Sequence, residues 1–369
     1  MPPDTTDALT ILFVDHARGL GGAERSLLAL LDHLDPRRVR PVLATRQGRL
    51  AVEARRRGVT VAIEAQDRLR GPAGVAHLIR GAMALRRLAR RVDADVVHGN
   101  VLRASIYAAA ASVGGPPFVW HVRDIHAPGI LVRSLCLRAT ITVAISEAVA
   151  GPLPCPARVI FNPVEVPVPR PRSRRDLDLP PAGKLVAHVG RLRPWKGQRD
   201  FLSAAARVRG DATFLVIGGR VFDDDKDPDY RRQLEAMALG LGIARRVVFT
   251  GQREDLADIW PHVAVAVHTA RAEPFGRGVA EAQAAGVPVV AYRDGGVPEI
   301  VADGQTGLLV PPGDIPALAG ALRALLKDEG RRREMGAAGA DRAARLFGPK
   351  AHARAMEDIY DQVAAGGIE

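Results

Sequence analysis

The chain is expected to be an α/β protein built as two doubly wound domains with parallel sheets. Three observations carry that expectation. Short apolar runs of strand length alternate with helical patterns from one end to the other, which is the order that βαβ units produce. The same plan occurs twice, and 369 residues exceed the usual size of a single core. Between the two halves lies a stretch rich in proline and arginine and poor in periodic apolar residues.

Taken in order, the first half offers strands at Ile11–Asp15, Val39–Ala44, Val59–Ile63, Asp95–His98, Phe118–Val122, Ile141–Ile145 and Arg158–Phe161. Each is a run dominated by Val, Ile, Leu or Phe that ends in turn-forming or polar residues. The second half repeats the pattern at Leu185–Val189, Thr213–Ile217, Val247–Thr250, Val263–Val267, Val287–Ala291 and Gly307–Val310. The expected division is residues 1–165 for the first domain, 166–182 for a linker, 183–348 for the second domain and 349–369 for a terminal helix. Pro349–Val363 has helical apolar spacing. Two such domains facing one another leave a cleft at the carboxyl ends of their strands, where ligands of doubly wound sheets bind.

The most informative run is Glu273-Pro-Phe-Gly-Arg-Gly-Val-Ala-Glu281. Pro274 and Gly276 break the preceding strand, and a helix is expected from about Gly278 to Gly286, with Glu281 about two turns in. Its first N–H groups, from Phe275 through Gly276 and Arg277 to Gly278, lack intrahelical partners and favour an anion such as a diphosphate. Ionised Glu273 and Glu281 only accept hydrogen bonds, so hydroxyl groups of a sugar or a ribose are their natural ligands. Arg191 and Lys196 follow directly on the strand Leu185–Val189 and project from its carboxyl end. Fixed cations there stabilise negative charge that builds on a departing phosphate more than they stabilise the bound substrate.

Near the start, Gly19, Gly21 and Gly22 sit between the first strand and the first helix, where bare backbone approaches a ligand closely. A dinucleotide fingerprint fails here. Glu24 occupies the position of the third glycine, and the second strand ends in Ala44-Thr-Arg46 with no acid for a ribose. No Asp-x-Asp motif follows a strand in a donor-binding position, and Asp223-Asp-Asp225 reads as a turn. His98 and His121 each end a strand. His121, Asp124 and His126 can be sketched as metal ligands, but a structural histidine is the commoner case and no metal is expected.

These residues resemble the large family of retaining nucleotide-sugar glycosyltransferases that includes many cell-envelope mannosyl- and N-acetylglucosaminyltransferases, glycosyltransferase family four of the group 1 type. Beyond the Glu273–Glu281 run, Gly190-Arg-Leu-Arg-Pro-Trp-Lys-Gly197 is similar to the family's phosphate-binding segment. Ala284-Ala-Gly-Val-Pro-Val-Val290, Gly295-Gly-Val-Pro-Glu299 and Gly304–Asp314 follow in the family's order, and Gly19-Leu-Gly-Gly-Ala-Glu24 is similar to its first glycine loop. The resemblance spans nearly the whole chain. It implies the GT-B architecture, two Rossmann-like domains across a cleft, with the terminal helix crossing back onto the first. It implies transfer of a sugar, with retention, from a nucleotide diphosphate sugar, a UDP-sugar ahead of a GDP-sugar, without metal or cofactor. The implied catalytic residues are Arg191, Lys196, Glu273 at the donor sugar, and His121, also contacting the transferred sugar. Gly21, Gly22, Phe275, Gly276, Arg277 and Glu281 are the implied donor-binding positions, with Glu281 on the ribose. Arg277 departs from the smaller or apolar residue common at its position and leaves the donor's identity open. The acceptor, a saccharide, a lipid-linked saccharide or a natural-product aglycone, is expected at loops around Gly21, Arg103 and His121–Pro128. A nucleotide-sugar epimerase of the same design, or a non-catalytic sugar-nucleotide binder, would keep the same binding groups.

Composition sets the surroundings. The formal net charge is +11, and residues 1–169 hold 22 basic against 14 acidic side chains. The excess concentrates in Arg55–Arg57 and in Arg80, Arg86, Arg87, Arg90 and Arg91 on an expected helix, a face suited to an anionic membrane or a phosphorylated acceptor. Arginine outnumbers lysine so strongly that a proteome-wide bias is the plainer source of part of it. Cys136 and Cys155 are the only cysteines, too few for a disulfide framework, so a reducing cytoplasm is expected. Met1-Pro-Pro-Asp-Thr-Thr-Asp7 lacks a basic signal n-region, and no run of roughly eighteen apolar residues occurs. The expected location is the cytoplasm, with peripheral contact at the inner face of the membrane as an option.

Overall fold

A computed structural model describes residues 8–64, 66, 67, 69, 71, 73–166, 168–219 and 229–366. The acidic run Asp223–Asp225 lies outside the described residues. The chain divides into two compact units, residues 1–163 with 349–369, and residues 164–348.

The first unit contains strands β1 (Leu9–Val14), β2 (Val39–Thr45), β3 (Thr60–Ile63), β4 (Val96–Gly99), β5 (Phe118–Val122), β6 (Ile141–Ala144) and the two-residue β7 (Arg158–Val159). Between them run α1 (Gly22–His33), α2 (Arg49–Arg56), α3 (Ala73–Arg91), α4 (Leu102–Ala111), α5 (Ile130–Arg138) and the single turn α6 (Glu147–Ala150). All neighbours pair in parallel, in the order β3-β2-β1-β4-β5-β6-β7. Parallel strands covered on both faces need continuous apolar sequence, and Ile11 to Val14 are all fully buried.

The second unit repeats the plan with β8 (Leu185–Val189), β9 (Thr213–Ile217), β10 (Val247–Gly251), β11 (Val263–His268), β12 (Val289–Tyr292) and β13 (Gly307–Val310). Its helices are α7 (Gln198–Ala205), α8 (Tyr230–Gly240), α9 (Leu256–Ile259), α10 (Arg277–Ala284), α11 (Val297–Ile300), α12 (Ile315–Lys327) and α13 (Glu329–Leu346). The sheet order is β10-β9-β8-β11-β12-β13, again parallel throughout. In each unit the direction of winding reverses between two adjacent strands, β1 and β4 in one and β8 and β11 in the other. Their carboxyl ends are the topological switch points where doubly wound sheets hold ligands.

The last helix, α14 (Pro349–Ala364), is part of the first unit. Its apolar face, Ala353, Met356, Ile359, Tyr360 and Val363, joins the core of Ile11, Phe13, Leu27, Leu30 and Val96. Arg38 fixes the polar side by pairing with Glu357 at 2.8 Å and Asp358 at 2.8 Å.

Two expectations change. The stretch 166–182, read as a linker, packs on the second unit. Arg170 donates to the buried Asp258 at 2.7 Å, Arg172 pairs with Asp255 at 3.2 Å, and Leu177 and Leu179 are buried. Its arginines find carboxylates more than eighty residues away, which composition along the chain does not reveal. Cys136 and Cys155, expected in a reducing setting, form a disulfide with Cα atoms 5.8 Å apart, because α5 and the segment after α6 bring them together.

Ile359 is fully buried in the α14 interface. Ile359→Ala is expected to lower the stability of the first unit by about 2–5 kcal/mol, the cost of a large-to-small change in a packed core, measured by urea unfolding.

Candidate active site

In the second unit three loops converge at the carboxyl ends of β8, β11 and β12, and glycines allow them to touch. After β8, the segment Gly190–Gly197 turns through a short 3-10 element, Pro194–Lys196, and stops at Gly197 with φ of +75°. A side chain on Gly197 would sit 2.0 Å from the carbonyl oxygen of Thr269, so this loop lies directly against the one that follows β11. Thr269 seals the contact by donating to the Gly197 carbonyl at 2.8 Å. On the other side Gly295, with φ of +56°, presses on the backbone of Glu273; an added Cβ would lie 2.2 Å from the Glu273 carbonyl oxygen. The Gly296 N–H donates to that same carbonyl at 2.8 Å. The motif glycines therefore serve close approach of backbone to backbone around Glu273.

The side chains complete the joint. Lys196 Nζ lies 2.5 Å from Glu273 Oε2, and His268 Nε2 reaches the same oxygen at 3.0 Å. Lys196 also stands over the Trp195 ring, 4.1 Å from its centre. Burial alone would raise the Glu273 carboxyl pKa, but the Lys196 charge and the His268 hydrogen bond outweigh it and bring it down to about 2. Glu273 is thus an anion throughout the physiological range, an acceptor only. Lys196 has three N–H donors, and Glu273 uses one of them.

Helix α10 begins beside this joint, with Gly278 against the end of β8; a Cβ added there would lie 3.5 Å from the Val189 carbonyl oxygen. Gly276 caps it in the left-handed region at φ +100°, with no side-chain cap on the first N–H groups. Those donors and the positive end of the helix dipole lie next to the segment carrying Arg191 and Lys196, an arrangement suited to a multiply charged anion. Glu281 stands little more than one turn into α10, because the helix starts at Arg277; the expected two turns are corrected. Arg277 Nε donates to Glu281 Oε1 at 2.7 Å, so the unusual arginine orients this carboxylate. Phe275 precedes α10. Its ring is buried edge-on to Phe347, with centroids 5.5 Å apart.

Gly21 and Gly22 open α1 in the first unit. Gly21 N–H donates to Glu24 Oε2 at 2.7 Å, and the space beside Gly22 is empty to 4 Å. Burial, followed by the charge of Asp15, pushes the Glu24 carboxyl up to about 7. His121 lies near the end of β5 (Phe118–Val122). It is fully buried, ringed by His98 at 5.2 Å and His352 at 6.3 Å, with Nδ1 3.5 Å from the Arg123 guanidinium. Alternation along β5 puts His121 on the same face as Val119, and Val119 shares a core with α14. Arg123, two residues on, takes the strand end instead. It donates to Asn100 at 2.7 Å and Asn162 at 2.6 Å, and Asn100 in turn donates to Asp15 at 2.6 Å, which ties the ends of β1, β4 and β5 together. Among the described residues no group of three or more His, Cys, Asp or Glu side chains is placed to hold a metal ion. Sequence reasoning missed His268 and Arg123, although both stand at strand ends where a ligand-facing residue is sought.

Comparisons with known proteins agree with this geometry. The description "Glycosyl transferases group 1" matches residues 169–342, and "Glycosyltransferase Family 4" matches residues 20–166. A D-inositol 3-phosphate glycosyltransferase of Xylanimonas cellulosilytica is 33% identical over 287 residues, covering 74% of this chain and 68% of that protein. The enzyme of the same name from Corynebacterium efficiens is 35% identical over 208 residues, 53% of this chain and 48% of that one. The chain thus matches about half the length of several of these relatives. Among solved structures, Anabaena HepE in complex with UDP and glucose superposes with a TM-score of 0.84 at 23% identity, over 96% of this chain and all of that one. Sucrose-phosphate synthase from Thermosynechococcus elongatus gives a TM-score of 0.83 at 22% identity, over 97% and 100%. Both share the fold.

Gly295→Ala is expected to destabilise the second unit by roughly 2 kcal/mol or more, from the left-handed backbone and the collision with Glu273. Gly22→Ala, with open space around it, should leave stability unchanged or slightly raised in the same urea titration. Because Glu273 has its pKa depressed on folding, its contribution is present above its unfolded value of 4.5 and is lost as pH falls toward about 2. Glu273→Gln should flatten that acid limb of the stability curve, an effect on the order of 3 kcal/mol.

Proposed function

Since the chain belongs to the group 1 glycosyltransferases of the GT-B fold, we propose that it transfers a sugar with retention from a nucleotide diphosphate sugar, a UDP-sugar ahead of a GDP-sugar, to a hydroxyl group. The observation that carries the reading is the Lys196–Glu273–His268 joint at the β8/β11 switch point, beside the uncapped start of α10. It sets cations and the positive end of a helix for a diphosphate next to a carboxylate for sugar hydroxyls. Glu281, oriented by Arg277, accepts the ribose hydroxyls.

In the reaction the bond between the anomeric carbon and the β-phosphate oxygen breaks, and the electron pair leaves with the phosphate. Arg191, Lys196 and the α10 N–H groups stabilise that growing charge, and no metal ion is required for it. The acceptor oxygen attacks from the face the phosphate leaves and passes its proton to a phosphate oxygen. Support for UDP comes from the structural neighbour that holds UDP and glucose. The relatives that act on D-inositol 3-phosphate favour a polyol or saccharide acceptor. The carboxylate at Glu273 serves binding and charge, and a covalent glycosyl intermediate on it is not part of the reading.

The acceptor side includes a membrane surface. Helix α3 carries five arginines and no acidic residue. Its exposed side joins Val75, Ile79 and Met83, which are 66%, 53% and 45% exposed, to Arg80, Arg87, Arg90 and Arg91. Apolar side chains that enter a headgroup layer beside exposed guanidinium groups fit an anionic bilayer. Among the described residues no helix is long and apolar enough to cross one.

In thermal-shift screening of sugar nucleotides, UDP-sugars are expected to raise the melting temperature more than GDP-sugars, as ligands of the native state. NMR of the product should show the donor's anomeric configuration. Loss of donor without acceptor, giving an altered sugar nucleotide, would instead indicate an epimerase. Lys196→Ala should lower kcat at saturating donor about 100-fold or more. The triple variant R80E/R87E/R90E should lose on the order of 100-fold in partitioning onto phosphatidylserine-containing vesicles while keeping turnover of a water-soluble acceptor.

A further inference from the structure

Glu273 is gripped by one oxygen only. Lys196 and His268 both reach Oε2, while Oε1 takes no hydrogen bond from the described residues, and the side chain keeps 8% of its surface exposed. An ionised carboxylate has two acceptor oxygens, so one held by protein donors leaves the other available to a further donor. The two donors differ in kind. Lys196 ends a flexible four-carbon stem and carries a charge that a diphosphate would share. His268 is the last residue of β11, 4% exposed, and lies nearly parallel to the His188 ring at 9° and 6.4 Å.

His188 is itself fixed. Its Nε2 lies 3.0 Å from the Lys196 carbonyl, which only accepts, so that nitrogen carries the proton. Burial, then the neighbouring His268, bring its pKa down to about 3, so the ring is neutral. The same reasoning places a proton on His268 Nε2, because ionised Glu273 only accepts. The chain from the Lys196 backbone through His188 to His268 and Glu273 lies in two adjacent strands and their loops, and it does not depend on where the Lys196 ammonium goes.

Resting on the donor-binding reading above, we propose that His268 is the positioning residue for the donor sugar: its Nε2–H holds Glu273 by Oε2 so that Oε1 is presented to a sugar hydroxyl when Lys196 turns to the diphosphate. His268 touches no substrate in this arrangement. It sets discrimination between a nucleotide with its sugar and the nucleotide alone.

The test is calorimetric titration of the full-length chain with UDP and with UDP-glucose, in wild type, His268→Ala and His268→Gln. Glutamine returns an N–H near the position of Nε2. UDP affinity is expected to stay within about twofold in all three, while UDP-glucose affinity falls about tenfold or more in His268→Ala and recovers to within about threefold in His268→Gln, the scale of one hydrogen bond to a charged group. Equal losses for both ligands, or unchanged UDP-glucose binding in His268→Ala, would overturn the proposal. Wild type that binds neither nucleotide would instead overturn the donor reading beneath it, and the proposal with it. Nitrogen-15 NMR of the ligand-free chain gives a second readout without substitution. A proton on His268 Nε2 is expected, and a proton on Nδ1 would overturn the assignment.

Discussion

The buried ion pair of Lys196 and Glu273 is the contact on which the second unit's chemistry depends. It joins residues 77 positions apart and fastens the loop after β8 to the loop after β11 at the point where the winding of the sheet reverses. Such a pair contributes little net stability, since removing two charges from water offsets most of their attraction. What it provides is position. Breaking it strands a charge in a nearly dry site, so alternative arrangements of the two loops are strongly disfavoured.

The same physics accounts for the glycine-rich character of the surrounding motifs. Gly197 and Gly295 stand where one backbone crosses another at distances that exclude a Cβ atom. With the loops in contact, the cations, the carboxylate and the start of α10 occupy a small region without ligand-induced ordering, and preorganised dipoles of that kind are the efficient way to stabilise a leaving phosphate. The first unit uses its own switch point differently. Asp15, Asn100, Arg123 and Asn162 form a buried hydrogen-bonded chain across the ends of β1, β4 and β5, and α14 covers the histidines behind it. The network ties three strands together, and the space beside Gly22, where α1 opens, is empty to 4 Å.

Much of the fold was legible because parallel strands buried on both faces must be written as continuous apolar runs. Each expected strand appears, with ends shifted by a residue or two where the last turn of a loop decides pairing, as in β4 and β12. The Lys196 and Glu273 positions were legible from strand ends and glycine spacing. The burial of His121 was not legible, because alternation in a strand gives two faces, and only the placement of α14 decides which of them is covered. Arg277 was expected among the donor-binding positions with the donor left open, and the fold pairs it with Glu281, one turn along its own helix.

The sequence by itself determined the alternation of elements, the twofold repetition of the plan and the chemistry gathered at the carboxyl ends of β8 and β11, since these follow from local periodicity and turn chemistry. Tertiary structure alone decided that His268 shares the Glu273 oxygen with Lys196, that Arg170 finds Asp258, that Cys136 meets Cys155, and that α14 closes the first unit. The physical reason is the range of the interactions. Apolar pattern is a property of neighbouring residues, but a hydrogen bond between side chains distant in sequence exists only once packing has set their separation to within a few tenths of an ångström.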